Sequence, residues 1–348
     1  MSGWLDVVDG GLGNAIQDAG RHGYRHMGVA VSGFLDPVFA ACANALVGNA
    51  GDAAAIELRG LGPSLKVRQG PLRVALTGAL SASILRHGGS HQVLEAWHSA
   101  TLESGDILKC GPVDGGTAYL AVSGGIEVAP QLGSRATYQR AAIGGIDGRL
   151  LATGDALPCR RLARNEYREY RAEPWQHAEG PIRLIPGPQV DHFADGELER
   201  LLAAAYRVTR DSDRMGMRLD GPALTHRSPA HADIVSDAVT PGTLQVPGNG
   251  LPILLLADCQ TVGGYPKIAT VVRADLPRLA QCRTGDELRF AAVDLPGALA
   301  LQRRETERLA RWKNGIGSYL PAGYLDETAL YTCNLIDGMV RAEPPIRD

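Results

Sequence analysis

Lysine is scarce in this 348-residue chain: only four of its 35 cationic side chains are Lys, so each (66, 109, 267 and 313) invites inspection. Long apolar runs are missing too, and nothing approaches the roughly 20 residues that span a bilayer. The first ten residues carry Asp6 and Asp9 and no cationic stretch, so no secretory leader is expected. The six Cys (42, 110, 159, 259, 282 and 333) form no C-x-x-C pair, which disfavours a zinc ribbon or a disulfide framework. No G-x-x-x-x-G-K-[ST] cradle for ATP phosphates occurs, and Gly11-Leu12-Gly13 has no third glycine at dinucleotide-loop spacing. Neither H-E-x-x-H nor G-x-S-x-G is present. A formal charge of −3 attracts neither a phosphate backbone nor an anionic membrane. The expectation is a soluble cytoplasmic protein with reduced thiols, no nucleic-acid partner and no membrane.

Glycine is abundant instead. Its 43 residues are about 12% of the chain against a usual share of about 7%, which points to many tight turns. The length suggests roughly two domains, each able to bury a core. Short apolar segments dominate: 72–77, 118–123, 181–185, 252–257, 268–272 and 287–293. Their length and β-branched content predict strands. No regular helices separate them, so barrels or sandwiches are expected rather than a doubly wound sheet. Three helices stand out: one opened by Asp36-Pro37 and stopped at Gly48, one over 195–206, and an Arg/Glu-laced surface helix over 296–312. A Gly-Asp turn recurs at Ser104-Gly105-Asp106, Thr153-Gly154-Asp155 and Thr284-Gly285-Asp286, hinting at two related units in tandem. The polar stretch 160–180 reads as a linker. The domains are therefore set at 1–178, 179–295, and 296–348 as a helix with a C-terminal extension.

Two segments gather polar groups in apolar or Gly-rich surroundings. In 240–267, Gln245 lies in a strand-like stretch, Asp258 and Gln260 follow the apolar run 251–257, and Gly263-Gly264 leads to Lys267. An acid, two amides and an ammonium at a strand end suit a ligand site. Asp258 would act as a base, Gln245 and Gln260 as amide readers, and Lys267 as a clamp for oxyanion charge. The competing reading has these groups satisfying turn amides and solvent. In 17–36, Asp18, Arg21 and Ser32 stand near Asp36, which reads as a helix cap. Arg214, hemmed by Asp211 and Asp213, reads as a salt-bridged turn or as a bidentate grip for a substrate carboxylate. Asn44 on an Ala-rich helix and Glu57 in an apolar stretch are out of place if buried. His22/His26 and His87/His91 have i,i+4 spacing, but their Gly-containing surroundings do not favour a metal-binding helix, and no metal is expected.

The blocks QDAGRHGYRHMGVAVSGFLD, ANALVGN with IELRG, SRATYQR with GGIDGRLL, SDRMGMRL, and TPGTLQVPGNGLPILLLADCQTVGGYPKIATV resemble the carboxyltransferase-type family. That family contains the C subunit of 5-oxoprolinase (the KipA-like proteins) and the second subunit or domain of allophanate hydrolase and urea amidolyase. The likeness runs through roughly residues 5–310. It implies a mainly β fold of two tandem cyclophilin-like β-barrels. It also implies partners: a subunit-B-like (KipI or allophanate hydrolase subunit 1) protein, and for the 5-oxoprolinase type a subunit-A-like protein. The implied activity is ATP-dependent cleavage of 5-oxo-L-proline to L-glutamate. The alternatives are carboxyl transfer from carboxybiotin to urea or a related amide, and a KipA-like regulatory role. In this picture the small amide sits among Gln245, Asp258, Gln260 and Lys267. Arg214 holds its carboxylate, with Asp18, Arg21, Ser32 and Asn44 at the edge. No cofactor is held by this chain alone: ATP or carboxybiotin arrives through partner subunits, and none of the four lysines has the Met-Lys-Met setting of a biotin acceptor. The chain departs from the family pattern at Cys259, where Arg is usual, and at Ser236-Asp237-Ala238-Val239. Beyond about residue 312 no counterpart is recognised.

Overall fold

All six apolar segments form strands: Leu72–Thr77, Ala118–Val122, Ile182–Pro186, Ile253–Leu255, Lys267–Val271 and Glu287–Ala292. The structure, a computed structural model, describes residues 2–162 and 168–319. Most of the expected C-terminal extension, 320–348, lies outside the described residues.

Between Ser2 and Arg160, eleven strands pair into a six-stranded and a five-stranded sheet. Leu65, Val67 and Ile84 of the first meet Ile56, Val74 and Leu120 of the second in one core. The two sheets read differently in sequence for a physical reason. Ser64–Gln69 and Ser81–Leu85 alternate buried and open positions because one face meets solvent. Leu72–Thr77 and Ala118–Val122 are buried at every position. Their second face is covered by the helix Pro37–Leu46, whose Ala40 and Ala43 share a cluster with Ala75, Tyr119 and Ala121. That helix begins as its sequence predicts: the Asp36 carboxylate accepts from the Val38 and Phe39 amides, both at 3.0 Å, and Pro37 takes the first turn.

The second half is a closed seven-stranded barrel. Its strands run in the order 182–186, 267–271, 243–245, 253–255, 216–220, 205–208 and 287–292, and the parallel pair Ile182–Pro186 and Glu287–Ala292 closes it. Leu184, Tyr206, Leu219, Leu244, Leu254 and Phe290 fill it. The helix expected over 195–206 spans only Glu197–Ala203, because Ala205 joins the strand Ala205–Val208. The helix Leu295–Asn314 returns to the first half, where Leu309 and Trp312 pack on the cluster around Phe39 and Trp97. Within the stretch read as a linker, Glu169–Arg171 pairs with Gly317–Tyr319 and Trp175 is buried.

The recurrent Gly-Asp turns are one structure used three times. Gly105, Gly154 and Gly285 have φ of 95°, 94° and 95°, a left-handed conformation that glycine adopts without penalty. In each, the Asp carboxylate accepts from the amide three residues earlier: Glu103, Ala152 and Arg283, at 2.9, 2.8 and 2.8 Å. Each Gly donates to, and each Asp carbonyl accepts from, a valine on another segment: Val67, Val7 and Val208. The motif is a clasp that docks a strand start.

Candidate active site between the two halves

Arg214 lies just before the strand Gly216–Asp220, and the Asp258 amide donates to its carbonyl at 2.9 Å, which sets the two side chains abreast. Arg214 Nε and Nη2 donate to Asp258 at 2.9 and 3.1 Å, Nη2 also donates to the Gly33 carbonyl at 2.6 Å, and Nη1 donates to Glu57. Glu57 Oε2 accepts from the Leu35 amide at 3.0 Å and the Tyr119 hydroxyl at 2.8 Å. The Tyr119 oxygen accepts from the Asp36 amide, and the Asp36 carboxylate accepts from Gln281 Nε2 and meets His177 Nε2 at 2.7 Å. One network therefore stitches the first half, the connecting segment and the barrel. Burial alone would lower the Arg214 pKa, but Glu57 and Asp258 outweigh it and raise the value. Burial first, and then the Glu57 charge, push the Tyr119 pKa well up, so the phenol stays a donor.

Beside this network a cleft of about 600 Å³ opens between the halves, within the usual range for small-molecule sites. Glu57, Arg59, Asp213, Arg214 and Asp258 line it, together with the exposed Gln139 and Arg140. A side cavity of about 290 Å³ shares Arg140, Asp213 and Met215 with the cleft and adds Gln245, Gln260 and Tyr265. The guanidinium groups of Arg59 and Arg140 enter no ion pair among the described residues. The loop carrying Arg140 is shaped by three isolated bridges, Gln131 to Ser134, Tyr138 to Ile143 and Ile146 to Arg149. Leu132, Ala142 and Asp147 take left-handed conformations there.

The expected constellation at 245–267 divides. Asp258 lines the cleft, and Gln245 and Gln260 line the side cavity, joined by a Gln260 Nε2 to Gln245 Oε1 bond of 3.3 Å. Lys267 lines neither. Its buried ammonium is bound by the Asp237 carboxylate and the Ala238 carbonyl, so it offers no clamp for oxyanion charge in the cleft. Arg214 is an internal clamp rather than a free grip for a substrate carboxylate, because two buried carboxylates and a carbonyl take four of its five N–H donors. Asp18 accepts from the Gly20 and Arg135 amides and from Ser134 Oγ. Arg21, fully buried, donates to the Gln131 and Ala136 carbonyls rather than pairing with Asp18. Burial lowers the Arg21 pKa, opposed by the Asp18 and Asp258 charges. Asn44 is internal glue: Nδ2 donates to the Ala53 carbonyl at 2.8 Å, and Oδ1 accepts from Asn49. Ser32 sits on the seam, its amide donating to the Ala257 carbonyl. Sequence reasoning left Arg59, Arg140 and Tyr119 without roles. Glu57 carried a signal, since a carboxylate within an apolar strand requires a buried partner. Among the described residues no group of three His, Cys, Asp or Glu is placed to hold a metal ion, and no helix is long and apolar enough to cross a membrane.

The family model for the carboxyltransferase domain, subdomain A and B, matches residues 27–292. The chain is 35% identical to the 5-oxoprolinase C subunit of Escherichia coli over 314 residues, covering 89% of this chain and 98% of that protein. It is 31% identical to a putative urea carboxylase of Emericella nidulans over 319 residues, 87% of this chain but 25% of that one. Among solved structures, the Kluyveromyces lactis urea carboxylase superposes with a TM-score of 0.77 at 26% identity, over 89% of this chain and 29% of that chain. The chain thus spans nearly all of the bacterial protein and about a quarter of the fungal ones. Matched by that family model over most of its length, and with a mainly β structure that superposes on the Kluyveromyces lactis protein, the chain belongs to the carboxyltransferase domain A and B family.

Proposed function

We propose that the chain is the amide-binding subunit of an ATP-dependent 5-oxoprolinase-type complex that opens 5-oxo-L-proline to L-glutamate. The observation that carries this reading is the cleft itself. Arg59 and Arg140, whose guanidinium groups enter no ion pair among the described residues, line the same cleft as Asp258, a carboxylate clamped by Arg214. 5-Oxoproline presents matching chemistry: a carboxylate for Arg140 to grip, and a lactam N–H for Asp258 to accept. Hydrolysis adds a water oxygen to the lactam carbonyl carbon, breaks the C–N bond and releases the nitrogen as the amine. Charge developing on the carbonyl oxygen would be met by Arg59 at the cleft wall. Gln245 and Gln260 would read the amide edge from the side cavity. An amide is a poor electrophile, so activation by ATP would come through the partners, a subunit-B-like protein and a subunit-A-like protein. The match over 98% of a 5-oxoprolinase subunit supports the assignment.

The test is co-purification with those partners and an assay of glutamate formed from 5-oxoproline and ATP. Arg140→Ala removes a charge-assisted contact worth about 1.5–3 kcal/mol, so KM should rise about 10- to 150-fold with a smaller change in kcat. An intact complex that makes no ATP-dependent glutamate ends the lactam reading. A second reading, carboxyl transfer from carboxybiotin to urea or a related amide, is favoured by the likeness to urea carboxylase. It would show as bicarbonate- and ATP-dependent carboxylation of urea by the chain with a biotin-bearing partner. Stable partner binding with neither turnover, unchanged in Arg140→Ala, would leave the KipA-like regulatory role.

A further inference from the structure

A second cavity, of about 590 Å³, shares Leu35 and Leu256 with the cleft and has no part in the proposed reaction. Its walls are mostly apolar, with Val31, Phe34 and Leu276 among them. Against these walls stand donors that lack acceptors. Arg25 Nη2 serves the Val239 and Gln260 carbonyls and the guanidinium also lies beside the Cys259 thiol, but its buried Nη1 has no oxygen acceptor. Ser32, only 5% exposed, has a buried Oγ equally without one. At the rim, the Arg273 guanidinium enters no ion pair among the described residues. The single acid in the lining, Asp52, is exposed, so the cavity is net cationic. Buried donors without acceptors are rare, because each gives up the bond it had in water. Ser32 also takes φ 55°, a left-handed conformation uncommon outside glycine. Such strain persists where surrounding structure imposes it, and it clusters at ligand clamps.

We propose that this cavity binds a small amphipathic carboxylate, its hydrocarbon body against Val31, Phe34 and Leu276 and its anionic head on Arg25, Ser32 and Arg273. A neutral amphiphile would bring no negative charge to the two guanidinium groups, and inorganic phosphate would leave the apolar walls unfilled. The site also borders the catalytic seam. The next residues along the wall supply the Gly33 carbonyl to Arg214 and the Leu35 amide to Glu57.

The experiment is titration calorimetry on the full chain with sodium octanoate, 1-octanol and sodium phosphate, using wild type, Arg273→Glu and the milder Arg273→Ala. Octanoate should bind saturably, with octanol and phosphate weaker by about tenfold or more, the worth of one charge-assisted hydrogen bond. Arg273→Glu should weaken octanoate by at least about tenfold and Arg273→Ala by less. Absence of octanoate binding, equal binding of octanol, or an Arg273→Glu variant that binds like wild type would each overturn the proposal. So would loss of octanoate in Arg140→Ala alone, which would place the ligand in the reaction cleft. The readout is binding, so either result leaves the glutamate-forming reading to its own assay.

Discussion

Replacing Arg214 with Met keeps much of the side-chain volume and removes the charge that joins the two halves. The Glu57 and Asp258 side chains it would abandon are only 2% and 9% exposed, and Arg214 itself 12%. Exposed ion pairs are worth about 0–1 kcal/mol, but deleting one partner of a buried pair costs about 3–5 kcal/mol because the remaining charge is left in a poor solvent. Here two carboxylates are stranded at once, so Arg214→Met should lie at the upper end of that range. Urea denaturation of the full chain, followed by circular dichroism, measures it. The stronger test is the triple variant Arg214→Met, Glu57→Gln, Asp258→Asn. With no charge left to strand, it should recover at least about half of the loss, because the penalty for an uncompensated buried charge is gone. A single variant within about 1 kcal/mol of wild type, the scale of an exposed pair, would refute the reasoning. So would a triple variant no more stable than the single.

At Gly154 and Gly285 a Cβ would meet nothing within 4 Å, so Ala at either position should cost about 1–2 kcal/mol from left-handed backbone strain alone, read as a lowered urea midpoint. Asp155 is held below the usual carboxylate range, foremost by its hydrogen bonds to Arg149. A depressed pKa contributes stability above the unfolded value and loses it as pH falls through the folded one. Asp155→Asn should therefore be weaker than wild type at pH 7, with the gap closing below about pH 4. Asn44→Ala should destabilise by about 1–3 kcal/mol through the unmet Ala53 carbonyl. Any KM change in an assembled complex should be small, since Asn44 touches neither cavity.

The strands were legible because backbone pairing and burial are written into short apolar runs bounded by turn residues, and the Asp36-Pro37 start of the first helix because capping is local chemistry. The Gly-Asp turn was legible as a repeated string, but its three valine partners lie as far as 148 residues away in the chain and could not be named. The site was legible in part. Asp258, Gln245 and Gln260 do reach cavities, while Lys267 and Arg214, chosen as free cations, are committed to carboxylates that sequence spacing did not bring near them. Glu57 registered only as a misfit.

The sequence by itself determined this protein's family, its mainly β character and the local conformations at turns and caps, because these depend on residues close in the chain and on blocks long enough to be specific. The tertiary structure alone decided which charges remain available to a ligand. Whether an arginine is a free grip or an internal clamp depends on which carboxylates the fold sets against it. For Arg214 those come from position 57, 157 residues away, and position 258, 44 residues away.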